Sequence, residues 1–349
     1  MSVRLSICIA TFNRAGFIGE TLDALLEQLS PEVEIVIVDG ASPDATGAAV
    51  RPYLGRSPAI RYFRESENSG VDGDYDKAVG YARGEYVWLF PDDDLPAPGA
   101  ISRVLQELED ADTALIVVDS EVRDVKVRRT LRSSRLPFST SRTYGPTDAD
   151  RLLADTGYNL TFIGGVIIRK SLWESRLRKP YYGSLFIHVA VIFQSPGIGK
   201  AKVIAEPLIR IRAGNSMWQP RSFEIWAFKW PDLIWGFEAY SDDAKQAVTA
   251  REPWRGFAWL LGYRALGAYS RVEYDKFLAE RLGAPARLLS KIIATLPGKA
   301  TNFAAVVGLA LIGKGGSAIA YDLVASSRYS NSASRFVTGI WLGKHNPKR

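Results

Sequence analysis

The sequence predicts an α/β fold with a mostly parallel central sheet flanked by helices and followed by a C-terminal helical region. Short, unbroken apolar runs alternate with stretches of helical spacing, and polar residues follow directly after several of these runs. Unbroken apolar runs are typical of strands that are covered on both faces, as in parallel sheets. Strand, helix and strand in succession indicate right-handed parallel units, whose carboxyl ends meet at one edge of the sheet.

The first strand is predicted at residues 4–10, and the polar turn Thr11-Phe12-Asn13-Arg14 follows it. Apolar residues at close to helical spacing predict a helix over about residues 15–29. A second apolar strand, residues 33–38, ends at Asp39. Together these elements predict the first parallel unit.

A third strand is predicted at residues 60–64, and Glu67-Asn68-Ser69-Gly70 then leads into a helix that runs through Lys77. The fourth strand is the apolar run that ends at Phe90, directly before Asp92-Asp93-Asp94. Polar residues therefore follow each strand at the same predicted sheet edge, which is typical of a nucleotide site at a topological switch point.

The three consecutive carboxylates have two interpretations. Hard oxygen ligands suit Mg²⁺ or Mn²⁺, which keep coordination positions for substrate phosphates. The alternative is a solvated acidic turn that precedes a helix, because Pro96 and Pro98 follow and proline favours helix starts. Both interpretations stay open on these residues alone.

Four motifs in this order resemble the family 2 glycosyltransferases with the GT-A fold, over about residues 4–120. They are Ile-Ala-Thr-Phe-Asn-Arg at 9–14, Ile-Val-Ile-Val-Asp-Gly-Ala-Ser-Pro-Asp at 35–44, Glu-Asn-Ser-Gly at 67–70 and Ala-Arg-Gly-Glu-Tyr-Val-Trp-Leu-Phe-Pro-Asp-Asp-Asp at 82–94. Within the family, the chain is similar to O-antigen and cell-surface glycan transferases of the abequosyltransferase kind. That finer resemblance rests on the Asp-Asp-Asp form and on residues 70–75 and 212–218.

The resemblance implies a nucleotide diphosphate sugar as donor and Mn²⁺ or Mg²⁺ as cofactor. The residues that it implies for donor binding are Thr11, Asn13, Arg14, Asp39, Asn68, Asp92 and Asp93. Asp94, with Asp93, would bind the metal ion that assists departure of the nucleoside diphosphate. Gly40 stands where relatives have a second acid. Asp72, Asp76 and Lys77 are further candidates, and their alternative role is in ion pairs on an exposed helix face.

Transfer to a hydroxyl with inversion also needs a base. Relatives have an acid at a helix start in the second half, whereas Glu174 is the only carboxylate between residues 157 and 204. His188 lies at about the expected position, and an imidazole can act as a base near neutral pH. The alternative is a hydrogen-bonded core histidine. Asp155, Glu206 and Glu224 are the competing candidates.

A loop after the last core strand is expected to close over the donor. Arg210 or Arg212 would contact the diphosphate, since a guanidinium binds phosphate oxygens in a forked geometry. Trp218 would stack on a sugar, or else pack as an ordinary interface residue.

The charge is unevenly distributed along the chain. Residues 251–349 hold 15 Lys or Arg against five Asp or Glu, so this part carries +10 and residues 1–250 carry −4. Basic residues flank apolar stretches there, which suits helices lying in the headgroup region of an anionic membrane. A helical domain with solvated charge is the alternative. Nucleic acid is not expected as a partner, because no recognition motif accompanies the charge.

The sequence therefore predicts a donor-binding half at residues 1–120, an acceptor-binding half at 121–220 and a basic, helical, membrane-associating region at 221–349. The expected activity is metal-dependent, inverting transfer of a sugar to a hydroxyl of a lipid-linked bacterial surface glycan. The expected location is the cytoplasmic face of the inner membrane, because no signal-peptide pattern precedes the first strand. The alternatives are a polyprenyl-phosphate sugar synthase and a non-catalytic nucleotide-sugar-binding scaffold.

Overall fold

The computed structural model describes residues 2–312 and 316–344, which form two compact units. The first unit runs to Glu121 and includes Ser134–Ile211 and Trp235–Val248. The second comprises Val122–Ser133, Arg212–Ile234 and the chain from Thr249 onward. Three of the basic residues counted in the sequence lie outside the described residues, namely Lys314, Lys348 and Arg349.

Four parallel strands form one side of the central sheet, in the order β3-β2-β1-β4. They are β1 (Leu5–Thr11), β2 (Val33–Asp39), β3 (Ile60–Arg64) and β4 (Tyr86–Leu89). All residues of β2 and β4 are buried, which explains why their sequences are largely apolar, with Glu34 and Asp39 as the exceptions in β2. These four strands confirm the predicted parallel units.

A helix follows each of the first three strands. They are α1 (Ile18–Leu26), α2 (Thr46–Leu54) and α3 (Gly70–Tyr81). The sequence pattern predicted the first and third of these helices but missed α2, which contains Pro52. Proline inside a helix removes a backbone donor, so the pattern there is typical of a loop.

Six further strands complete the sheet, namely β5 (Leu95–Pro96), β6 (Thr113–Arg123), β7 (Thr130–Arg132), β8 (Arg142–Tyr144), β9 (Val166–Arg169) and β10 (Lys200–Arg212). Four of them continue the sheet beyond β4 in the order β9-β6-β10-β5, while β7 pairs with β6 and β8 pairs with β10. Strand β9 is antiparallel to both of its neighbours, β4 and β6. The α/β class is confirmed, but the sheet is mixed, and the expectation of a mostly parallel sheet holds only for β1 to β4. A buried strand has the same apolar composition in either direction, so its sequence does not reveal its orientation.

The other helices lie between and after these strands. They are α4 (Ala100–Glu107), α5 (Ala149–Thr156), α6 (Lys170–Ser175), α7 (Ile187–Phe193), α8 (Ser222–Glu224), α9 (Trp230–Trp235), α10 (Asp242–Val248), α11 (Phe257–Leu266), α12 (Arg271–Glu273), α13 (Ala284–Thr295), α14 (Gly298–Ile312), α15 (Ser317–Ala325) and α16 (Ser332–Lys344). Two π-helical turns, Ile225–Lys229 and Tyr274–Leu278, extend α8 and α12. Every element after β10 in the described residues is helical, as predicted for the C-terminal region.

Trp88 anchors the core of the first unit. Its side chain is fully buried in β4, and its indole N–H donates to the Gly164 carbonyl oxygen over 2.8 Å. The neighbouring Tyr86 donates its hydroxyl to the Thr113 carbonyl oxygen over 2.7 Å. A fully buried tryptophan typically contributes about 3–5 kcal/mol relative to alanine. β4 is therefore fixed both to the chain before β9 and to β6.

The second unit has an aromatic core and a buried polar clamp. Phe223 is fully buried and stacks on Tyr269, with ring centroids 4.8 Å apart. Asn302 of α14 donates to the carbonyl oxygens of Ala265 and Leu323 and accepts from the Ser334 hydroxyl. No individual helix in the described part of the chain has the length and hydropathy of a membrane span, whereas α13 and α14 together meet that criterion across a 98° bend.

Candidate active site

The ends of β1, β2 and β4 align along one edge of the sheet, and the second half of β6 lies beside them. Val36, Cys8, Leu89 and Val117 occupy one row across the sheet, linked through Val166 of β9. Three residues beyond this row stand, respectively, Asp39, Thr11, Asp92 and Ser120. The structure therefore brings Thr11, Asp39 and Asp92 to the edge where the sequence predicted them.

Two backbone turns at this edge adopt left-handed conformations. Asn13 has φ of 58° and Ala41 has φ of 59°, which cost free energy in residues with a side chain. The turns hold each other, because the Asn13 N–H donates to the Ser42 hydroxyl over 3.0 Å and the Arg14 N–H donates to the Thr46 hydroxyl over 2.8 Å. These bonds connect the β1 turn to the β2 turn and fix the direction of Arg14.

Asp39 is fully buried beneath this edge. One carboxylate oxygen accepts the Ser42 N–H over 2.8 Å, and the other accepts the Tyr62 hydroxyl over 2.5 Å. Burial, together with the bond to Asp39, raises the pKa of Tyr62 to about 12, so this hydroxyl remains a donor at neutral pH. A nucleotide base would contact Asp39 only after its covering side chains move.

Two of the three acids after β4 share one cation. Arg14 lies 3.4 Å from the Asp92 carboxylate and 3.1 Å from the Asp93 carboxylate. Burial and the adjacent Asp93 raise the pKa of Asp92 to about 7, and Arg14 opposes that shift. Asp94 is also buried, and the Thr21 hydroxyl donates to its backbone oxygen over 3.0 Å. The cluster is thus an organised, partly desolvated group of acids rather than a solvated turn.

Gly40 is required by the position of Asp74. A Cβ atom at residue 40 would lie 2.4 Å from the Asp74 carboxylate, which is closer than real contacts allow. Asp74 is buried and accepts the Ser69 hydroxyl over 2.5 Å, and burial raises its pKa. A carboxylate from α3 thus occupies the space beside Asp39 where the sequence lacked a second acid.

The neighbouring candidates from the sequence have local partners. The Asn68 side-chain oxygen accepts the Gly70 N–H over 2.7 Å at the start of α3. Lys77 pairs with Glu65 over 2.8 Å, and this bond raises the pKa of Lys77. The Lys77 contact matches the helix-face ion pair that was the alternative interpretation for this residue.

Asp72 and Asp76 connect α3 to the segment before α7. The Asp72 carboxylate is buried and accepts the N–H groups of Gly183, Leu185 and Ile187 over 2.8, 2.8 and 3.1 Å. Asp76 accepts the Trp173 indole N–H and the Tyr182 hydroxyl. The Asp72 contacts orient residues 183–187, which directly precede His188, the base that the sequence predicts.

The structure argues against His188 as that base. Its side chain is 1% exposed, and Nε2 is 2.7 Å from the Leu160 carbonyl oxygen. Burial lowers the pKa of His188 to about 4, so the imidazole has little affinity for a proton near neutral pH. Burial and weak basicity favour the core-histidine alternative over the base role.

The competing carboxylates are also engaged. Asp155 accepts the Tyr144 hydroxyl over 2.6 Å and an Arg142 N–H over 2.8 Å. Glu206 is exposed and lies 3.6 Å from Arg103. Glu224 belongs to the second unit and is 3.9 Å from Arg221.

Sequence reasoning missed the acids at the end of β6. Asp119 is fully buried, and one of its oxygens accepts three backbone N–H groups, from residues 120, 135 and 136. Glu121 retains 16% side-chain exposure and pairs with Arg210 over 3.2 Å. The signal was present, since acids after an apolar run had already identified Asp39 and Asp92. Placing β6 at the same edge required the intervening β9, whose pairing the sequence does not reveal.

The other loop candidates lie in the second unit. Arg212 is buried and donates to the Val125 carbonyl oxygen over 2.6 Å. Trp218 is exposed and meets Trp226 edge to face, with ring centroids 5.9 Å apart. Arg210, by contrast, belongs to the first unit with Glu121.

The acids after β4 have the chemistry of a partial metal site. Within the described residues, no group of three or more His, Cys, Asp or Glu side chains is arranged to hold an ion. Carboxylate oxygens nevertheless suit Mg²⁺ and Mn²⁺, which are often held by one or two carboxylates plus substrate phosphates. Asp93 and Asp94 therefore fit a metal ion whose coordination is completed by a diphosphate.

Comparison with known proteins decides the family. A family model described as "Glycosyl transferase family 2" matches residues 6–176, which include the whole edge from Thr11 to Glu121. Residues 6–176 of this chain are a family 2 glycosyltransferase domain. The glycosyltransferase is 26% identical over 232 residues to abequosyltransferase RfbV of Salmonella typhimurium, covering 62% of this chain and 69% of that protein.

Two further matches cover different shares of the glycosyltransferase. GalNAc(5)-diNAcBac-PP-undecaprenol β-1,3-glucosyltransferase of Campylobacter jejuni is 29% identical over 105 residues, or 30% of this chain and 34% of that enzyme. S. aureus TarS 1-349 in complex with UDP-GlcNAc superposes with a TM-score of 0.52 and 16% identity over 93% of this chain and 90% of that chain. The structural likeness confirms the GT-A fold.

Proposed function

We propose that this glycosyltransferase moves a sugar from a nucleoside diphosphate donor to a hydroxyl of a lipid-linked bacterial surface glycan. The observation that carries the proposal is the acid cluster Asp92-Asp93-Asp94, held by Arg14 at the carboxyl edge of the parallel strands. Ligands of α/β sheets bind at this edge. Relatives support the substrate classes, because one is named for abequosyl transfer, one acts on an undecaprenol-linked glycan and one binds UDP-GlcNAc.

The acids and Arg14 would bind the diphosphate of the donor in two different ways. Asp93 and Asp94 would hold Mn²⁺ or Mg²⁺, and the ion would offset charge on the leaving diphosphate. Arg14 sits beside the same acids and would bind a phosphate oxygen directly. Asp92 would meet the ribose, while Thr11, Asn13 and the Asp39 turn would line the base.

We assign the base role to Glu121 in place of His188. Glu121 is partly exposed and lies one residue beyond Ser120 at the same sheet edge as Asp92. As a base it would take the proton from the acceptor hydroxyl while that oxygen attacks the anomeric carbon from the face opposite the diphosphate. This arrangement inverts the anomeric centre. The Arg210 guanidinium, 3.2 Å away, would orient the carboxylate.

The proposed acceptor class would require the enzyme to work at a membrane. A glycan carried on a polyprenyl lipid stays in the bilayer, so its transferase must work at that surface. We propose a peripheral location on the cytoplasmic face of the inner membrane. The excess of basic residues after residue 250 supports attraction to anionic lipid.

The two alternatives differ from this proposal in their products. A polyprenyl-phosphate sugar synthase would glycosylate polyprenyl monophosphate itself. A non-catalytic scaffold would bind donor and release no nucleoside diphosphate. We would incubate the enzyme with Mn²⁺, radiolabelled donor and, separately, polyprenyl phosphate and a lipid-linked glycan extract.

Metal-dependent label transfer to the glycan, with inversion, is the expected result. Transfer only to polyprenyl phosphate would support the synthase. Donor binding without turnover on any acceptor would support the scaffold. Asp94→Ala should abolish this transfer, and Asp112→Ala is its matched control, because Asp112 is an exposed carboxylate that lies before β6.

A further inference from the structure

Helix α13 is apolar on two opposite sides. Its inner side buries Ser290, Ile293 and Ala294. On its outer side, three large aliphatic residues remain 61%, 39% and 47% exposed, namely Leu288, Leu289 and Ile292. Ile292 follows them by four and three positions, which makes the three side chains neighbours on the helix surface. A surface helix normally places polar residues on its outer side, so this helix lacks the usual solvent-facing pattern.

Basic residues border this aliphatic patch. Arg287 and Lys291 are exposed and are separated by four positions, so they form a row along one side of it. The helix contains no acidic residue, and residues 281–349 contain ten Lys or Arg against the single acid Asp322. The combination of exposed aliphatic side chains and an almost uncompensated positive charge is typical of a helix that lies in a lipid headgroup region.

Neighbouring helices of the same unit repeat the pattern. Helix α14 exposes Phe303 and Leu311, and α16, which packs against α14, exposes Phe336 and Ile340. Soluble surfaces show single exposed apolar residues routinely, but repeated clusters of them mark an interaction surface. The excess of positive charge in the same segment favours a negatively charged partner.

We propose that Leu288, Leu289 and Ile292, with Arg287 and Lys291, form a lipid-docking face that inserts into an anionic phospholipid surface. The aliphatic side chains enter the boundary between headgroups and acyl chains, and the two cations contact lipid phosphates. The proposal deepens the proposed function, and in that respect rests on it, because docking would bring the enzyme to a lipid-linked acceptor. Binding to lipid does not itself require donor, metal or turnover.

The test is co-sedimentation of the full chain with vesicles of phosphatidylcholine alone or of an equal mixture with phosphatidylglycerol. We expect binding to the mixed vesicles that weakens at high salt, because attraction between charges at a surface is screened. Leu288→Ser/Leu289→Ser/Ile292→Ser should bind at least about tenfold more weakly. Arg287→Gln/Lys291→Gln should lose the preference for phosphatidylglycerol and keep residual binding to neutral vesicles.

The matched control replaces exposed aliphatic residues elsewhere, Leu177→Ser/Val272→Ser, whose side chains are 68% and 69% exposed. It should bind vesicles like the wild type. All variants should retain the wild-type melting temperature and its shift by nucleoside diphosphate, which separates failure of this proposal from failure of the proposed function.

Three outcomes would overturn the lipid-docking face. One is wild-type binding by the triple serine variant. Another is equal binding of the wild type to neutral and anionic vesicles. The third is a wild-type dimer in solution that the triple variant abolishes while vesicle binding is absent, since the face would then serve a second copy of the chain.

Discussion

The sheet edge of the first unit and the outer surface of α13 in the second unit use charge in opposite ways. At the sheet edge, three acids and Arg14 are buried or nearly so, and their positions are fixed by turns in strained conformations. On α13, cations and aliphatic residues are exposed. Buried, fixed charge suits a small ligand of defined geometry, whereas exposed charge beside apolar surface suits a fluid, extended partner such as a lipid surface.

The largest effect should come from Glu121 at the sheet edge. We expect Glu121→Gln to lower kcat by about 100- to 10,000-fold, because an amide cannot accept the acceptor proton. The KM for donor should stay near the wild-type value, as Glu121 is placed outside the donor half. Steady-state release of nucleoside diphosphate measures both constants.

The matched control for that prediction is Glu206→Gln, which removes an exposed carboxylate from β10. It should retain wild-type kcat. A Glu121→Gln enzyme within about threefold of wild-type kcat would eliminate Glu121 as the base.

His188 should affect stability and not catalysis. Its pKa is about 4 when folded, against an ordinary value of 6.5, so the unfolded chain takes up the proton first as the pH falls. His188 therefore lowers the free energy of unfolding progressively from about pH 7 to pH 4, by about 3 kcal/mol in total. Above about pH 7 it has no such effect. Urea unfolding of wild type and His188→Gln across this pH range measures the contribution of His188, which is the difference between their free energies of unfolding.

The variant should also transfer sugar at near the wild-type rate between about pH 6 and 8. A loss of rate of about 100-fold, with unchanged dependence of unfolding on pH, would restore His188 as a candidate base.

A side chain at residue 40 should disturb the fixed geometry of the sheet edge. Gly40→Ala places a methyl group against the Asp74 carboxylate, and we expect a loss of about 1–3 kcal/mol in the free energy of unfolding. Asp74→Gly in the same chain should recover most of that loss, since it removes the colliding atoms. Denaturant unfolding of the two single variants and the double variant measures this coupling.

Gly80→Ala provides the comparison, because a Cβ atom there meets nothing within 4 Å and α3 is helical at that point. It should be neutral or stabilising. Additive effects of the residue 40 and residue 74 substitutions would contradict the steric account.

The smallest expected effect is a difference in nucleoside diphosphate affinity between variants of Arg14 and Arg287. Arg14→Gln should weaken binding of nucleoside diphosphate by about tenfold, or about 1.4 kcal/mol, because it removes a phosphate ligand from the acid cluster. Arg287→Gln should leave that affinity unchanged. Isothermal titration with each variant in Mn²⁺ measures both. Equal losses from the two substitutions would mean that net charge, rather than a fixed contact, governs donor binding.

The positions of the donor-side residues could be predicted from the sequence, because parallel strands end at one edge of the sheet. Apolar runs identified β1 to β4, and the residues after them therefore converge whatever the details of packing. Thr11, Asp39 and Asp92 follow from that rule alone. The Gly40 position could not be explained from sequence, since its cause is Asp74, which lies 34 residues further along the chain.

The position of the proposed base could not be predicted from the sequence, because it depends on long-range strand pairing. Glu121 reaches the edge through β9, a four-residue antiparallel strand whose pairing depends on long-range contacts. His188 appeared suitable by its sequence position, but its burial and its bond to Leu160 are tertiary properties. Local patterns therefore identify residues that lie near a site more readily than they identify their protonation chemistry.

The most direct test of the central claim is a thermal-shift panel of UDP, dTDP, GDP and CDP, each with and without Mn²⁺, on wild type, Asp94→Ala and Asp112→Ala. Ligand that binds only the folded state raises the melting temperature. We expect that one nucleotide stabilises wild type and Asp112→Ala only with metal and does not stabilise Asp94→Ala. Equal stabilisation of Asp94→Ala, or none of the wild type by any nucleotide, would contradict a donor site at the acid cluster.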